Sequence, residues 1–274
     1  MSVKLKGENR IEKFRRVAER LVSEITRYRE VCGIVFTGGL VRGFTDKFSD
    51  LDIDVFLRGK NKRLRMKIYD LGLKEGERFG IEVDLEVYFL REFKKQEWDE
   101  VDKWEYSKAE IVYDPEGEIR KIFEEKLRVP KDFWIKRIAV CSEYLRWYCC
   151  PLKKDVGTIA EAWVERGDPM IAHYCINYAI ELLIEVIFAL NKEFLPPPKW
   201  RIFYSYKLKW LPKDYKKLLK EAIKISNFSS KEFDRRLKAV RKLWDGIIPK
   251  IEKQTGFTTE QLTRYYIENV LQQP

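Results

Sequence analysis

The sequence predicts an α+β protein, with a mixed sheet and flanking helices over residues 1–130 and an all-α bundle over residues 131–274. Two observations carry this. Up to Val129-Pro130, short runs rich in Val, Ile and Phe alternate with amphipathic stretches. From Lys131 on, strand signals nearly vanish and long stretches of helical period take over. In the first part, Ile11, Phe14, Val17, Leu21 and Ile25 recur three and four apart, which predicts a helix over Asn9–Glu30. Val31–Phe36 is a buried strand leading into Gly38-Gly39, and Leu51–Leu57 is the next strand. A helix over Lys62–Leu73, a strand over Ile81–Leu90 and a helix pair within Glu92–Lys108 follow. Ile111–Tyr113 is a last edge strand, and Glu118–Leu127 is a helix that ends before Pro130. The second part reads as helices Phe133–Tyr148, Thr158–Arg166, Met170–Leu190, Lys213–Ile225, Lys231–Lys253 and Thr259–Leu271. Turns at Pro151, Gly167-Asp168, Pro196–Pro198, Asn227–Ser230 and Gly256 separate them.

Two stretches of the first part carry chemistry, Thr37–Asp54 (TGGLVRGFTDKFSDLDID) and Glu82–Val87 (EVDLEV). In a strand, side chains two apart lie on one face. Asp50, Asp52 and Asp54 therefore share a face, and Glu82, Asp84 and Glu86 do the same on the later strand. Acids on matching faces of neighbouring strands repel unless a cation sits between them. Mg²⁺ suits such a place, because it takes oxygen ligands from one or two carboxylates plus substrate phosphates. Upstream, Gly38-Gly39 lets the backbone approach a ligand closely, and a helix turn starting there would point N–H groups at an anion.

Gly38-Gly39, Arg42-Gly43 and Ser49-Asp50-Leu51-Asp52, with a later strand acid, resemble the motif of the DNA polymerase beta-like nucleotidyltransferase superfamily. Small members often have Gly-Ser where this chain has Gly38-Gly39. The run Ala189–Trp200 (ALNKEFLPPPKW) resembles the helical half of kanamycin-nucleotidyltransferase-like proteins. The resemblance implies a catalytic domain over residues 1–130 and a helical substrate-binding domain over residues 131–274. It implies a metal pair at Asp50 and Asp52 with Asp84 as third ligand and Glu86 as runner-up. Asp54, one step deeper, is expected to form a salt bridge with Lys or Arg in the sheet. Two Mg²⁺ ions, with Mn²⁺ as a substitute, would bridge the triphosphate of an NTP, ATP first among them. Gly38, Gly39, Arg42, Ser49 and Lys199 are the nucleotide-binding candidates, with Lys47 weaker. Arg42 could instead pin the loop to the acids, and Lys199 could simply follow a stiff proline turn. For the base, the third acid, Glu143 and Glu181 stay open.

Charged residues make up 36% of the chain, above the usual ~25%, which fits a thermophile with surface ion-pair networks. The net charge of +10 reads as a solvated basic surface or as a complement to an anionic partner such as NTP or RNA. Much of the excess lies between Lys199 and Lys253, where Trp200, Phe203, Tyr204, Tyr206 and Trp210 are interleaved. The five cysteines match no zinc spacing and are expected as buried free thiols. The one histidine, His173, is expected as a packed helix residue. The N-terminus has no apolar core of a signal peptide and no membrane span is expected, so the expected location is the cytoplasm.

Two functions are therefore expected in competition. One is Mg²⁺-dependent nucleotidyl transfer to a hydroxyl of a small molecule, a protein or RNA. The other is a non-catalytic nucleotide-binding or antitoxin-like interaction protein on the same fold. Nothing in the sequence fixes the oligomeric state; an oligomer is compatible with it. The nucleotide is expected in a cleft between the two parts.

Overall fold

The computed structural model describes residues 5–153 and 155–271. It divides after Val129 into two compact units. The first unit holds α1 (Ile11–Ile25), β1 (Val31–Phe36), α2 (Gly38–Arg42), β2 (Asp50–Leu57), α3 (Lys62–Phe79) and β3 (Glu82–Phe89). After these come α4 (Leu90–Lys95), α5 (Glu100–Tyr106), β4 (Glu110–Tyr113) and α6 (Glu118–Lys126). The four strands form one mixed sheet in the order β3-β2-β1-β4. β2 runs parallel to β3 through the α3 crossover, and β1 is antiparallel to both β2 and β4.

Strand alternation gives this sheet two different faces. Leu51, Ile53, Val55, Leu85 and Val87 point toward α1 and α3 and make one apolar core with Phe14, Leu21 and Ile68. On the opposite face, Cys32, Val35 and Phe56 pack with Phe93, Trp98, Ile119 and Phe123 from α4 to α6. The acids of β2 and β3 lie on this second face.

Two boundaries differ from expectation for physical reasons. α1 stops at Ile25, where its apolar period ends and Thr26 caps it by donating its hydroxyl to the Val22 carbonyl. α3 continues through Gly72 and Gly76 to Phe79, beyond the expected Leu73. These glycines do not end the helix; they bring it close to β3. A Cβ at Gly72 would meet Leu85 at 3.2 Å, and one at Gly76 would meet the Ile81 carbonyl at 2.9 Å. The helix ends instead at Gly80, in the left-handed region with φ +57°.

The second unit is helical throughout: α7 (Phe133–Tyr148), α8 (Ile159–Glu165), α9 (Pro169–Leu190), α10 (Pro198–Ser205), α11 (Tyr215–Ile223), α12 (Ser230–Thr255) and α13 (Thr259–Tyr266). A π-helical turn, Ile267–Leu271, extends α13. α9 is long and apolar enough in composition to cross a bilayer, yet most of its residues are buried at the centre of the bundle. α10 is absent from the sequence expectation, which places a proline-stiffened turn there. Pro198 opens it at a first-turn position, where its fixed φ suits a helix and no N–H is needed. Asn191 does more than end α9. Its Nδ2 donates to the Trp210 carbonyl at 3.0 Å, and its Oδ1 accepts from the Trp210 N–H at 2.8 Å. The loop after α10 is thus fastened to the central helix. All five cysteines are free and buried.

Candidate metal and nucleotide site

Three strand ends build the site. β1 ends at Phe36, Thr37 caps α2, and the Thr37 N–H donates to the Asp52 carbonyl at 3.3 Å. On the parallel pair the acids are in register, Asp50 with Glu82, Asp52 with Asp84, and Asp54 with Glu86. Carboxylate oxygens of Asp50, Asp52 and Asp84 come within 4.8 Å of one another. Three hard oxygen donors without His or Cys form a donor set for Mg²⁺ or Mn²⁺, and the spacing is within reach of oxygen ligands on one ion. Glu86 lies one step deeper, 3.5 Å from the Tyr69 hydroxyl. On this geometry Asp84→Asn is expected to lose far more Mg²⁺ affinity than Glu86→Gln, measured by calorimetry. The reverse order would move the site by one strand step.

Burial, with Asp50 beside it, pushes the Asp52 carboxyl up to about 6, although Arg42 pulls it down. Burial pushes Asp54 up to about 7, with Glu86 adding to the rise. The salt bridge expected for Asp54 is not formed. No Lys or Arg pairs with it among the described residues, and it accepts a hydrogen bond from the Tyr106 hydroxyl of α5 instead. The reason is position: Asp54 is buried, and the group that reaches it is the Tyr106 hydroxyl of α5.

These shifts set a pH dependence. Both acids have folded-state pKa values above their unfolded ones, so between about pH 4 and 7 the folded protein binds more protons than the unfolded chain. Their contribution is therefore unfavourable above pH 7 and is relieved as pH falls through their folded values. Metal-free protein is expected to melt higher at about pH 5.5 than at about pH 8, and Mg²⁺ is expected to raise the melting temperature more at pH 8, where it does not compete with protons. Calorimetry at both pH values, with and without Mg²⁺, checks this. A Mg²⁺ effect that is equal at the two values would remove Asp52 from the ligand set.

The glycine turn is shaped by these acids. Gly38 has φ +61°, and a Cβ there would fall 1.5 Å from Asp52 Oδ2. A Cβ at Gly39 would meet the Phe44 carbonyl at 2.9 Å and Thr45 Cγ2 at 3.1 Å. The glycines expected to admit a ligand thus admit, in this structure, a carboxylate and a neighbouring turn. That also accounts for Gly rather than Ser at position 39.

Glu105 of α5, which the sequence does not single out, completes the turn. It accepts from the Gly38 N–H at 2.8 Å and pairs with Arg42 Nη1 at 2.9 and 3.1 Å. The Arg42 guanidinium lies over the Trp104 ring at 5.4 Å. Arg42 therefore pins the loop, as its alternative role had it, but to an acid of α5. Ser49 donates to Asp46 Oδ1 at 3.2 Å and accepts from the Asp46 N–H at 2.9 Å, which closes the turn before Asp50. Lys47 sits over the Phe48 ring.

Lys199 belongs to the second unit and is exposed at the start of α10. In that unit Glu143 is buried and held by Arg146 and by the Thr263 hydroxyl, and Glu181 pairs with Arg201 at 2.8 Å. Neither is a spare base. His173 is packed as expected: it is buried, accepts from Arg236 Nη1 at 2.8 Å through Nδ1, and burial holds its pKa below the ordinary value.

A glycine turn against register-matched acids on a β1–α2–β2–α3–β3 frame defines a nucleotidyl-transfer domain. Residues 12–129 match the family model described as "Nucleotidyltransferase domain". The chain carries a nucleotidyltransferase domain of the DNA polymerase beta-like superfamily. Residues 98–201 match a second family model, "Domain of unknown function (DUF4037)". That span begins before α5 and ends within α10, so it includes both Glu105 and the Asn191 cap. A solved structure titled as a nucleotidyltransferase-like protein from Exiguobacterium sibiricum 255-15 is 11% identical, with a TM-score of 0.41 over 88% of this chain and 77% of that one. No curated protein matches the chain.

Proposed function

We propose that the protein transfers a nucleoside monophosphate from an NTP, ATP first among them, to a hydroxyl of a small molecule, a protein or RNA, with two Mg²⁺ ions. The observation that carries this reading is the in-register carboxylate group of Asp50, Asp52 and Asp84 on two parallel strands. Those three side chains would hold the metal. Bound there, Mg²⁺ supplies charge neutralisation for the triphosphate and acidifies the acceptor hydroxyl. The N–H groups of Gly39 and Leu40 in the first turn of α2 would bind phosphate oxygens. The exposed Asp84 would take the acceptor's proton. Reaction at the α-phosphorus then releases pyrophosphate. Glu105 and Arg42 keep the turn in place.

The competing, non-catalytic reading draws on one observation, that Glu105 already occupies the Gly38 N–H and Arg42. Incubation with α-labelled ATP, Mg²⁺ and mixed acceptors separates the two. Label transfer with pyrophosphate release supports the enzyme; nucleotide binding without turnover across all acceptors supports the second reading.

Glu105→Gln distinguishes a clamp from a competitor of phosphate. As a clamp, it is expected to lower kcat by about 10–100-fold, the range for groups that orient metal ligands, with a much smaller change in KM. A lower KM at unchanged kcat would show instead that the carboxylate blocks the phosphate.

A further inference from the structure

The geometry points to a binding surface for single-stranded nucleic acid on the segment from α10 to α11. The inference is independent of the proposed transferase activity. Between Lys199 and Lys220 there are eight Lys and Arg against one acid, Asp214, out of a net charge of +10 for the whole chain. Elsewhere in this unit several arginines are paired internally: Arg137 with Glu185, Arg146 with Glu143, Arg235 with Glu221 and Glu232, and Arg241 with Glu161. Within the segment Arg201 follows the same habit, with Glu181. The lysines depart from it. Lys199, Lys207, Lys209, Lys213, Lys217 and Lys220 are all exposed, and none pairs with a carboxylate among the described residues. Packed self-repulsion of this kind has no structural return; it suits a polyanion, whose counterions such a surface releases.

Aromatic rings stand among these cations. Lys207 Nζ lies 4.3 Å from the Phe203 ring centroid and 4.8 Å from that of Tyr204. Lys216 lies over Tyr206 at 5.0 Å, and Lys250 over Trp210 at 5.6 Å. An ammonium over a ring face shows that the face is open to a flat, polarisable partner. A base can take that place while the lysine moves to a phosphate, which is the combination that single-strand binders use. The platform is rigid, because Asn191 grips both backbone groups of Trp210 and the Tyr206 ring meets the buried Tyr215. The same rings are half-buried rather than protruding, and Ile202 and Ile223, one on each helix, are the segment's exposed large apolar side chains. That surface has little to insert into a bilayer, which favours a nucleic acid over an anionic membrane.

Fluorescence anisotropy of the full chain tests this with a labelled mixed-sequence 20-nucleotide RNA, the matching DNA strand and the RNA duplex. Vesicles with and without phosphatidylserine form a further arm. Single strands are expected to bind better than duplex, with log affinity falling by about 0.7 per log salt for each phosphate contacted. Binding to RNA and DNA alike, or a preference for either, supports the surface. The triple variant Lys209→Gln, Lys213→Gln, Lys217→Gln is expected to flatten that slope by about 2. Trp210→Leu, with its melting temperature checked, is expected to weaken binding by about 5–100-fold through lost stacking. Asp52→Asn, dead for transfer on the proposed reading, is expected to bind the strand unchanged, so the two ideas fail separately. An unaltered triple variant, equal binding of duplex, capture by anionic vesicles without oligonucleotide binding, or no binding at low salt would each overturn it.

Discussion

Asp52→Asn is expected to reduce Mg²⁺-dependent turnover by at least about a thousand-fold, the scale of losing several kcal/mol of metal-borne charge stabilisation. The same substitution is expected to make the metal-free protein more stable at pH 8. Asp52 sits against Asp50 and opposite Asp84, and burial already raises its carboxyl to about 6. Removing its charge removes that cost. A rise of about two units corresponds to ~3 kcal/mol at most, and discounting for solvent screening of a half-buried group leaves about 1–2 kcal/mol, or several degrees in melting temperature. Asn has the shape of Asp, so the contact with Gly38 survives. Loss of activity with a gain in stability is the mark of a residue kept for chemistry. Unchanged turnover in a well-folded Asp52→Asn protein would sink the site.

Gly38→Ala is the second large effect, and here activity and stability fall together. The new methyl group would lie 1.5 Å from Asp52 Oδ2, in a backbone conformation with φ +61°. The conformation alone costs about 1–2 kcal/mol. The clash adds to it, because moving the Asp52 carboxylate aside must contend with those of Asp50 and Asp84, whose oxygens lie within 4.8 Å of it. We expect a loss of ~3 kcal/mol or more in stability, in the range of strained or overpacked sites, and loss of turnover beyond about a hundred-fold. A double-mutant cycle with Asp52→Ala separates the two causes. If Gly38→Ala costs as much with Asp52 truncated as with it intact, backbone strain alone accounts for the effect and the contact does not matter.

The features visible in the sequence were those written in a short period. Asp50, Asp52 and Asp54 alternate with Leu51, Ile53 and Val55, so their common face needs no tertiary information. The matching alternation at Glu82–Glu86 put three acids on one face, and it was the resemblance to the nucleotidyltransferase motif that singled out Asp84 among them. The helical half was legible for the same reason, through the apolar repeats of α7, α9 and α12. What stayed hidden rests on contacts between distant segments. Glu105 is 67 residues from Gly38, in a short helix with several other acids, and nothing marks it out before the chain folds. Tyr106 beneath Asp54 and Asn191 on Trp210 are of the same kind. The role of Gly72 and Gly76 is hidden in the same way: the expected helix already passes Gly72, but only the folded chain shows that the missing side chains let α3 settle on Leu85 and Val83.

That seat has a consequence for how faithfully the third acid is delivered. A one-residue slip of β3 along β2 would turn its acids into the apolar core and is forbidden by burial. A two-residue slip is another matter. It would place Asp52 beside Glu82 or Glu86, still acid against acid, with aliphatic side chains still inside. Neither charge nor hydrophobicity tells these alignments apart. The steric notch does: only in the native alignment do the two bare turns of α3 meet the side chains of Leu85 and Val83 and the Ile81 carbonyl. The helix acts as a gauge for the strand beside it. Filling the notch would yield chains that fold, keep their acids on the correct face, and carry the third carboxylate about 7 Å out of place.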